Sequence, residues 1–186
     1  MDIKQAITNR RSIKEFTQRV VSRQEIEALI DLALVAPNHR LTQPLRFHVL
    51  GPATRRAFGE ILGARKAKKL TDEAAARATI ARVGEDEAAI PAVIAISVAL
   101  DENPEIREED YATAMMAAQN IMLGAMSLGL GTHIRTGAVM DDSRTRELLA
   151  IPEARRVVAM IRLGEPAAAP EAKPRPTVAD STAWLD

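Results

Sequence analysis

The chain has 186 residues, a length that suits one compact domain spanning 1–186. It carries 25 basic and 25 acidic residues, and this balance argues against a protein that binds nucleic acid through a basic surface. The lack of cysteine excludes disulfides, thiolate nucleophiles and iron–sulfur clusters. No apolar run reaches the roughly 20 residues that a membrane span needs, and the N-terminus does not resemble a signal peptide. We therefore expect a cytoplasmic protein that binds neither membranes nor nucleic acid.

The first third of the chain predicts two helices, a loop, a strand and a third helix. The opening helix ends at the basic cluster Arg10-Arg11-Ser12. Ser22 and Glu25 have the spacing of a capping box, which predicts an amphipathic helix from Ser22 to Leu34 that Pro37 ends. A polar loop over 36–44 then leads to a strand over 47–50 and a helix over 53–62.

Residues 64–87 form a segment rich in charge and poor in large apolar side chains. Its alanine-rich middle favours a helix. We expect an exposed, mobile segment, for which two interpretations stay open. It could close over a site as a lid, or it could be a solvated surface helix.

A continuous apolar run over 92–100 predicts a buried central strand. The following helix, about 109–128, is apolar on nearly every side, so most of its surface should be buried. A domain of this size has difficulty enclosing such a helix alone. We therefore expect a homodimer with this helix at or near the interface.

The last third predicts a short strand within 129–137, a helix ending at Leu149 and a strand over 157–164. The tail over 165–186 contains four prolines and little helical or strand pattern. It is expected to be an extended arm lying along the partner subunit, with free disorder as the alternative. The order α-α-β-α-α-β-α-β-α-β is typical of an α+β fold with a small sheet and packed helices.

Several kinds of catalytic site lack support in the sequence. His39, His48 and His133 are far apart and lack the paired spacing of metal ligands, so no metal site is expected. There is no Gly-x-Ser-x-Gly nucleophile motif, and Gly129-x-Gly131 follows a helix without the third glycine of a dinucleotide fingerprint. What remains are basic and hydroxyl side chains at turns, which suit phosphate binding. These side chains belong to Arg10, Arg11, Ser12, Arg135, Thr136, Lys173 and Arg175.

The order of these features resembles the nitroreductase family of FMN-dependent oxidoreductases, in particular its small members. The similarity covers almost the whole chain and includes the apolar central helix. Four further stretches carry it, the first being similar to the family's Arg-Arg-Ser-x-(Arg/Lys)-x-Phe opening. These stretches are Asn9 to Phe16, the loop Ala36 to Pro44, Gly129 to Gly137, and Leu163 to Pro166 with Lys173 to Pro176.

The resemblance implies a role for each matching residue. Arg10 and Ser12 would bind the FMN phosphate, with Arg11 beside them and with Lys173 and Arg175 from the tail. Lys14 would lie near the pyrimidine side of the flavin. The remaining flavin contacts would be Asn38 and His39 from the other subunit, and Arg135, Thr136 and Gly137.

The resemblance also implies a nitroreductase-like fold, a mixed or antiparallel sheet, and a homodimer with an exchanged C-terminal arm and active sites at the interface. NADPH or NADH would give hydride to flavin N5, and a nitroaromatic, quinone or similar small-molecule acceptor would take the electrons in a ping-pong cycle. No catalytic side chain is expected. Leu45 stands where the family often has Trp, which leaves substrate preference open. The alternatives are a specialised flavin reductase or dehalogenase, and a non-redox FMN-binding module.

Overall fold

The computed structural model describes residues 1–185. Within that range the chain forms seven helices and four strands. These are α1 (Ile3–Asn9), α2 (Arg23–Leu34), β1 (Leu45–Val49), α3 (Pro52–Ala67), α4 (Glu73–Ala88), β2 (Ala92–Ala99), α5 (Pro104–Ser127), β3 (Gly131–Arg135), α6 (Ser143–Leu148), β4 (Arg155–Gly164) and α7 (Val178–Ser181). The α+β class and the element order are confirmed, with α7 as one short helix that the tail sequence did not predict.

The strands form one antiparallel sheet in the order β1-β2-β4-β3. The central strand β2 is buried along seven of its eight residues, in agreement with its continuous apolar sequence. A register shift between Ile96 and Ser97 marks a bulge opposite β4. Beyond β3, Ser12 adds an isolated parallel bridge to Thr132. The segment after α1 therefore runs along the outer edge of the sheet.

Helices cover both faces of the sheet. Helices α2 and α5 pack on one face, where Ile94, Ile96 and Ile121 are fully buried. Helix α5 begins at Pro104, earlier than predicted, because Asn103 caps it and proline suits its first turn. Val93 and Met160 point to the other face, which α3 covers with Phe58. One face of α5 is buried, as at Ala114, Ala117 and Ala118, whereas Ala112 and Met116 are exposed, so burial on most sides stays a prediction.

The charge-dense segment over 64–87 is divided between two packed helices. Helix α3 continues to Ala67, five residues past its predicted end, and α4 runs back along it. A Cβ on Gly63 would lie 2.7 Å from Ile80 Cα. Only glycine at this position therefore lets the backbones of α3 and α4 approach so closely. The outer face of α4 is exposed and carries charge pairs such as Arg82–Asp86. Movement of this segment as a lid stays a prediction.

Within residues 165–185, the backbone of the tail bonds to the segment at the sheet edge at its beginning. The amide of Thr17 donates to Glu165 O at 2.9 Å, and the amide of Ala167 donates to Glu15 O at 3.0 Å. Residues 167–185 are all exposed, including Trp184 at 88%. This surface is available for contacts with another molecule. Among the described helices, none is long and apolar enough to cross a membrane.

Candidate functional site

The segment after α1 is fixed against β3 by one buried side chain and one backbone bond. Ile13 is 4% exposed, and its amide donates to Thr132 O at 2.9 Å. Gly131 makes this approach possible, because a Cβ there would lie 2.5 Å from Ile13 Cγ1 and 2.8 Å from Pro166 Cγ. The sheet edge, the segment 10–17 and the start of the tail thus meet at one point.

This arrangement opens a cleft of about 880 Å³ between the segment after α1 and the tail. We call it the basic cleft. Five basic side chains line it against two acidic ones, Glu15 and Glu171. The basic residues are Arg10, Arg11, Lys14, Lys173 and Arg175, and Ser12 lies among them. Six residues that the sequence suggested for phosphate and flavin binding are therefore brought together, although the tail residues are more than 150 positions from the others.

The five cations of the basic cleft are not equivalent. Nη1 of Arg11 donates to Thr8 O at 2.9 Å and to Arg10 O at 3.0 Å, so its guanidinium stabilises the C-terminal end of α1. Arg10, Lys14, Lys173 and Arg175 make no ion pair within residues 1–185. Four cations thus remain available for an anionic ligand.

Asn38 and His39 lie outside the basic cleft, in the loop over 36–44. The amide of Asn38 organises this loop from within: its Oδ1 accepts the backbone N–H of Gln43 at 2.9 Å, and its Nδ2 donates to Thr42 Oγ1 at 3.0 Å. Thr42 Oγ1 in turn donates to Asp110, a carboxylate that is 2% exposed on α5. Asn38 therefore holds the loop to α5 within its own chain.

His39 and its neighbours form the outer part of the same loop. The His39 side chain is 72% exposed, and its Nδ1 lies 2.9 Å from Glu109 Oε1. His39 and then Arg40 hold the pKa of Glu109 below its usual value. Leu41 and Gln43 adopt positive φ values of 52° and 48°, which cost backbone energy in residues other than glycine. The strain thus lies at Leu41 and Gln43, and the Asn38 contacts maintain the loop that presents His39.

Arg135 ends β3, and neither it nor the following Thr136 and Gly137 is among the residues that line the basic cleft. Thr136 and Gly137 are exposed, and Gly137 has a φ of 95°. Arg135 is partly buried, with its Nη2 at 3.7 Å from Glu87 Oε1 on α4. Burial, and then the neighbouring Arg162, lower the pKa of Arg135.

Two buried carboxylates, Glu87 and Asp110, belong to these surroundings and were missed by the sequence reasoning. Glu87 is 4% exposed and sits in a helix whose sequence shows many other charged residues. Asp110 follows two glutamates at the start of α5. Nothing in their local sequence separates them from solvated acids, because burial depends on which distant strand or loop faces each position. Within residues 1–185, no group of three His, Cys, Asp or Glu side chains could hold a metal ion.

Comparison with sequence families matches residues 7–165 to the "Nitroreductase family". Among curated proteins, the chain is 30% identical over 184 residues to "Putative NAD(P)H nitroreductase YfhC" of Bacillus subtilis (strain 168). That match covers 96% of this chain and 91% of the relative.

Solved structures show the same fold. A nitroreductase-like family protein from Bacillus cereus superposes with a TM-score of 0.86 at 24% identity, covering 100% of this chain and 97% of the other. An NADPH:FMN oxidoreductase from Vibrio harveyi, solved with NAD⁺, superposes with a TM-score of 0.79 at 19% identity. It is matched over 99% of this chain and 77% of its own.

Proposed function

The chain belongs to the nitroreductase family, and on that premise we propose that it is an FMN-dependent oxidoreductase. Its electron donor is NADH or NADPH, and its acceptor is an electron-poor conjugated molecule such as a nitroaromatic or a quinone. The observation that carries the proposal is the basic cleft, where side chains from two distant parts of the chain converge. The names of the similar proteins, which include NAD(P)H and FMN, support the same function.

The side chains of the basic cleft fit a phosphate monoester. Such a group carries about −1.5 to −2 charges at neutral pH and offers three acceptor oxygens. Arg10 and Arg175 supply guanidinium donors, Lys173 supplies an ammonium, and Ser12 supplies a hydroxyl. A charged group taken out of water must be paired and hydrogen-bonded, and these side chains can do both. These four residues would hold the FMN phosphate.

When bound, FMN supplies the hydride chemistry, accepting electrons from the nicotinamide and passing them to the acceptor. The chain contributes by binding and orienting FMN and by adjusting the electrostatic environment around it. Lys14 lines the basic cleft without an ion-pair partner in residues 1–185, and its ammonium favours negative charge gained by a ligand on reduction. No side chain of the chain needs to act as a nucleophile.

We propose that the functional unit is a homodimer in which the loop over 36–44 completes the partner's site. A broad apolar surface supports this, because one copy leaves large apolar side chains exposed on α1, α2 and α5. These include Ile3, Ile7, Leu32, Leu34 and Met116. His39 is exposed at the outer part of the loop and can reach another subunit. The exposed tail, with Trp184, is proposed to lie along the partner.

The role of the basic cleft is tested by changing Arg10 and Ser12 to Ala together. A charge-assisted hydrogen bond contributes about 1.5–3 kcal/mol, so the change should weaken FMN binding at least about tenfold. Binding is measured from the flavin absorbance that stays with the protein after desalting, and from FMN titrations monitored by fluorescence.

Arg23→Ala serves as the control, since it removes an exposed arginine of α2 outside the basic cleft. Arg11→Ala should weaken FMN binding less than Arg10→Ala, because the Arg11 guanidinium is bonded to the end of α1. Full retention of FMN by the Arg10/Ser12 variant would show that the phosphate is held elsewhere.

A further inference from the structure

A buried ionic cluster joins α4 to the outer edge of the sheet. The carboxylate of Glu87, 4% exposed, forms an ion pair with Arg162 of β4 and lies 3.7 Å from Arg135 Nη2 on β3. Arg162 is paired in register with His133, and Arg135 lies two residues further along β3. The three basic side chains therefore share the sheet face that α4 covers.

The position of Glu87 is set by the packing of α4 on α3. A Cβ on Gly59 would lie 2.8 Å from both Cβ and Cγ of Glu87, so the carboxylate stem passes directly over this glycine. The stem has little room to change rotamer without moving a helix. Glu87 is thus a fixed negative charge beneath two arginines, unlike the exposed acids on the outer face of the same helix.

The cluster contains more positive than negative charge. Two guanidiniums face one carboxylate, and Nε of Arg135 and Nδ1 of His133 are buried without a hydrogen-bond partner in residues 1–185. Burial and both arginines lower the pKa of His133, with Lys14 of the basic cleft adding to the effect. The amide of Ile13 donates to the carbonyl of Thr132, the residue before His133, so the cluster borders the segment that lines the basic cleft.

We propose that Glu87 is a positioning residue for the bound flavin. Its carboxylate holds Arg135 against the sheet, immediately before the exposed turn Thr136–Gly137, and it offsets part of the positive charge at this edge. The proposal rests on the proposed function. Glu87 would then set both how this turn meets the flavin and how easily the flavin is reduced, since a flavin gains negative charge on reduction.

The sign of the electrostatic effect makes the proposal testable. Glu87→Gln keeps the shape and acceptor oxygen of the side chain but removes the negative charge, so the flavin midpoint potential should shift in the positive direction. Arg135→Gln removes a positive charge from the same cluster and should shift the potential in the negative direction. A purely structural disturbance would not give opposite signs.

The experiment equilibrates the FMN-loaded variants with a reference redox dye and measures the ratio of reduced to oxidised flavin. Glu85→Gln is the matched control, because it removes a carboxylate from an exposed position of α4 that pairs with Arg56. We expect the ratio at a fixed dye potential to rise several-fold in Glu87→Gln, to fall in Arg135→Gln, and to stay unchanged in Glu85→Gln.

Equal ratios in Glu87→Gln and Glu85→Gln, or shifts of the same sign in Glu87→Gln and Arg135→Gln, would overturn the proposal. Should Glu87→Gln fail to fold, Arg162→Gln is measured in its place. Its flavin midpoint potential must then shift in the negative direction, as that of Arg135→Gln does. A wild-type protein that takes up no FMN would refute the proposed function itself. A wild-type protein that binds FMN, with variants that match it, would refute only the role of Glu87.

Discussion

Gly131→Ala tests whether the basic cleft depends on close packing at the sheet edge. The added Cβ would lie 2.5 Å from Ile13 Cγ1 and 2.8 Å from Pro166 Cγ, whereas carbon atoms in contact are separated by about 3.5–4.0 Å. Ile13 is buried and bonded to Thr132 through its amide, so relief requires the whole segment after α1 to move outward. Overpacking of this kind costs about 1–3 kcal/mol.

The cost appears first as a lower melting temperature. For a chain of this length, 1 kcal/mol corresponds to about 2–4 °C, so FMN-free Gly131→Ala should melt about 2–12 °C below the wild type. The outward movement also displaces Arg10 and Ser12 relative to Lys173 and Arg175. We therefore expect weaker FMN binding as well, and a smaller rise in melting temperature when a fixed concentration of FMN is added.

Both effects are read from thermal unfolding at one protein concentration, with and without FMN. Gly51→Ala is the control, because a Cβ at that N-cap position meets nothing within 4 Å and its φ is −69°. It should cost at most about 1 kcal/mol through the weaker cap and leave the FMN effect unchanged. A Gly131→Ala protein with the melting temperature and FMN response of Gly51→Ala would show that close packing at Gly131 does not shape the basic cleft.

Three further predictions concern other parts of the molecule. Asn38→Ala leaves the amide of Gln43 without its side-chain acceptor and should lower the free energy of unfolding by about 1–2 kcal/mol in urea titrations. His39→Ala, at an exposed position, should change the free energy of unfolding by less than about 0.5 kcal/mol. Equal effects would contradict the role given to Asn38. The hydrogen bond from Arg144 lowers the pKa of Asp142 to about 2. Because this folded-state pKa lies below the unfolded one, the stability difference between wild type and Asp142→Asn should be constant above about pH 4 and disappear as the pH falls towards 2, and unfolding measured at several pH values checks this. If α4 moves as a lid, its amides should exchange hydrogen faster than those of α3 in FMN-free protein, and equally slow exchange would argue against the lid.

The main architecture follows from local sequence patterns, because the strongest patterns are those that tertiary contacts reinforce. The run over 92–99 is apolar at every position except Ser97, and the structure places it in the middle of the sheet. The capping box at Ser22 begins α2 as predicted. Helix boundaries were less accurate: α3 runs to Ala67 because α4 packs along its second half, which no local pattern of charged and small residues reveals.

The candidate site, too, could be predicted only in part from the sequence. The cations of the basic cleft could be proposed from the sequence because Arg10-Arg11-Ser12 follows the first helix, Lys173–Arg175 lies in the proline-rich tail, and both stretches match a family pattern. The difference between Arg10 and Arg11 could not, because it depends on which carbonyls lie within reach of each guanidinium. The buried acids Glu87 and Asp110 were equally hidden, since their partners come from strands and loops distant in sequence.

A visible absorbance spectrum tests whether this chain is a redox flavoprotein. The purified protein, supplied with FMN, is measured before and after anaerobic addition of NADH or NADPH. We expect flavin bands that stay with the protein and that bleach on addition of at least one of the two donors. Bands that persist with both donors would indicate a binding protein without this redox activity, and a protein that takes up no FMN would contradict the proposed function.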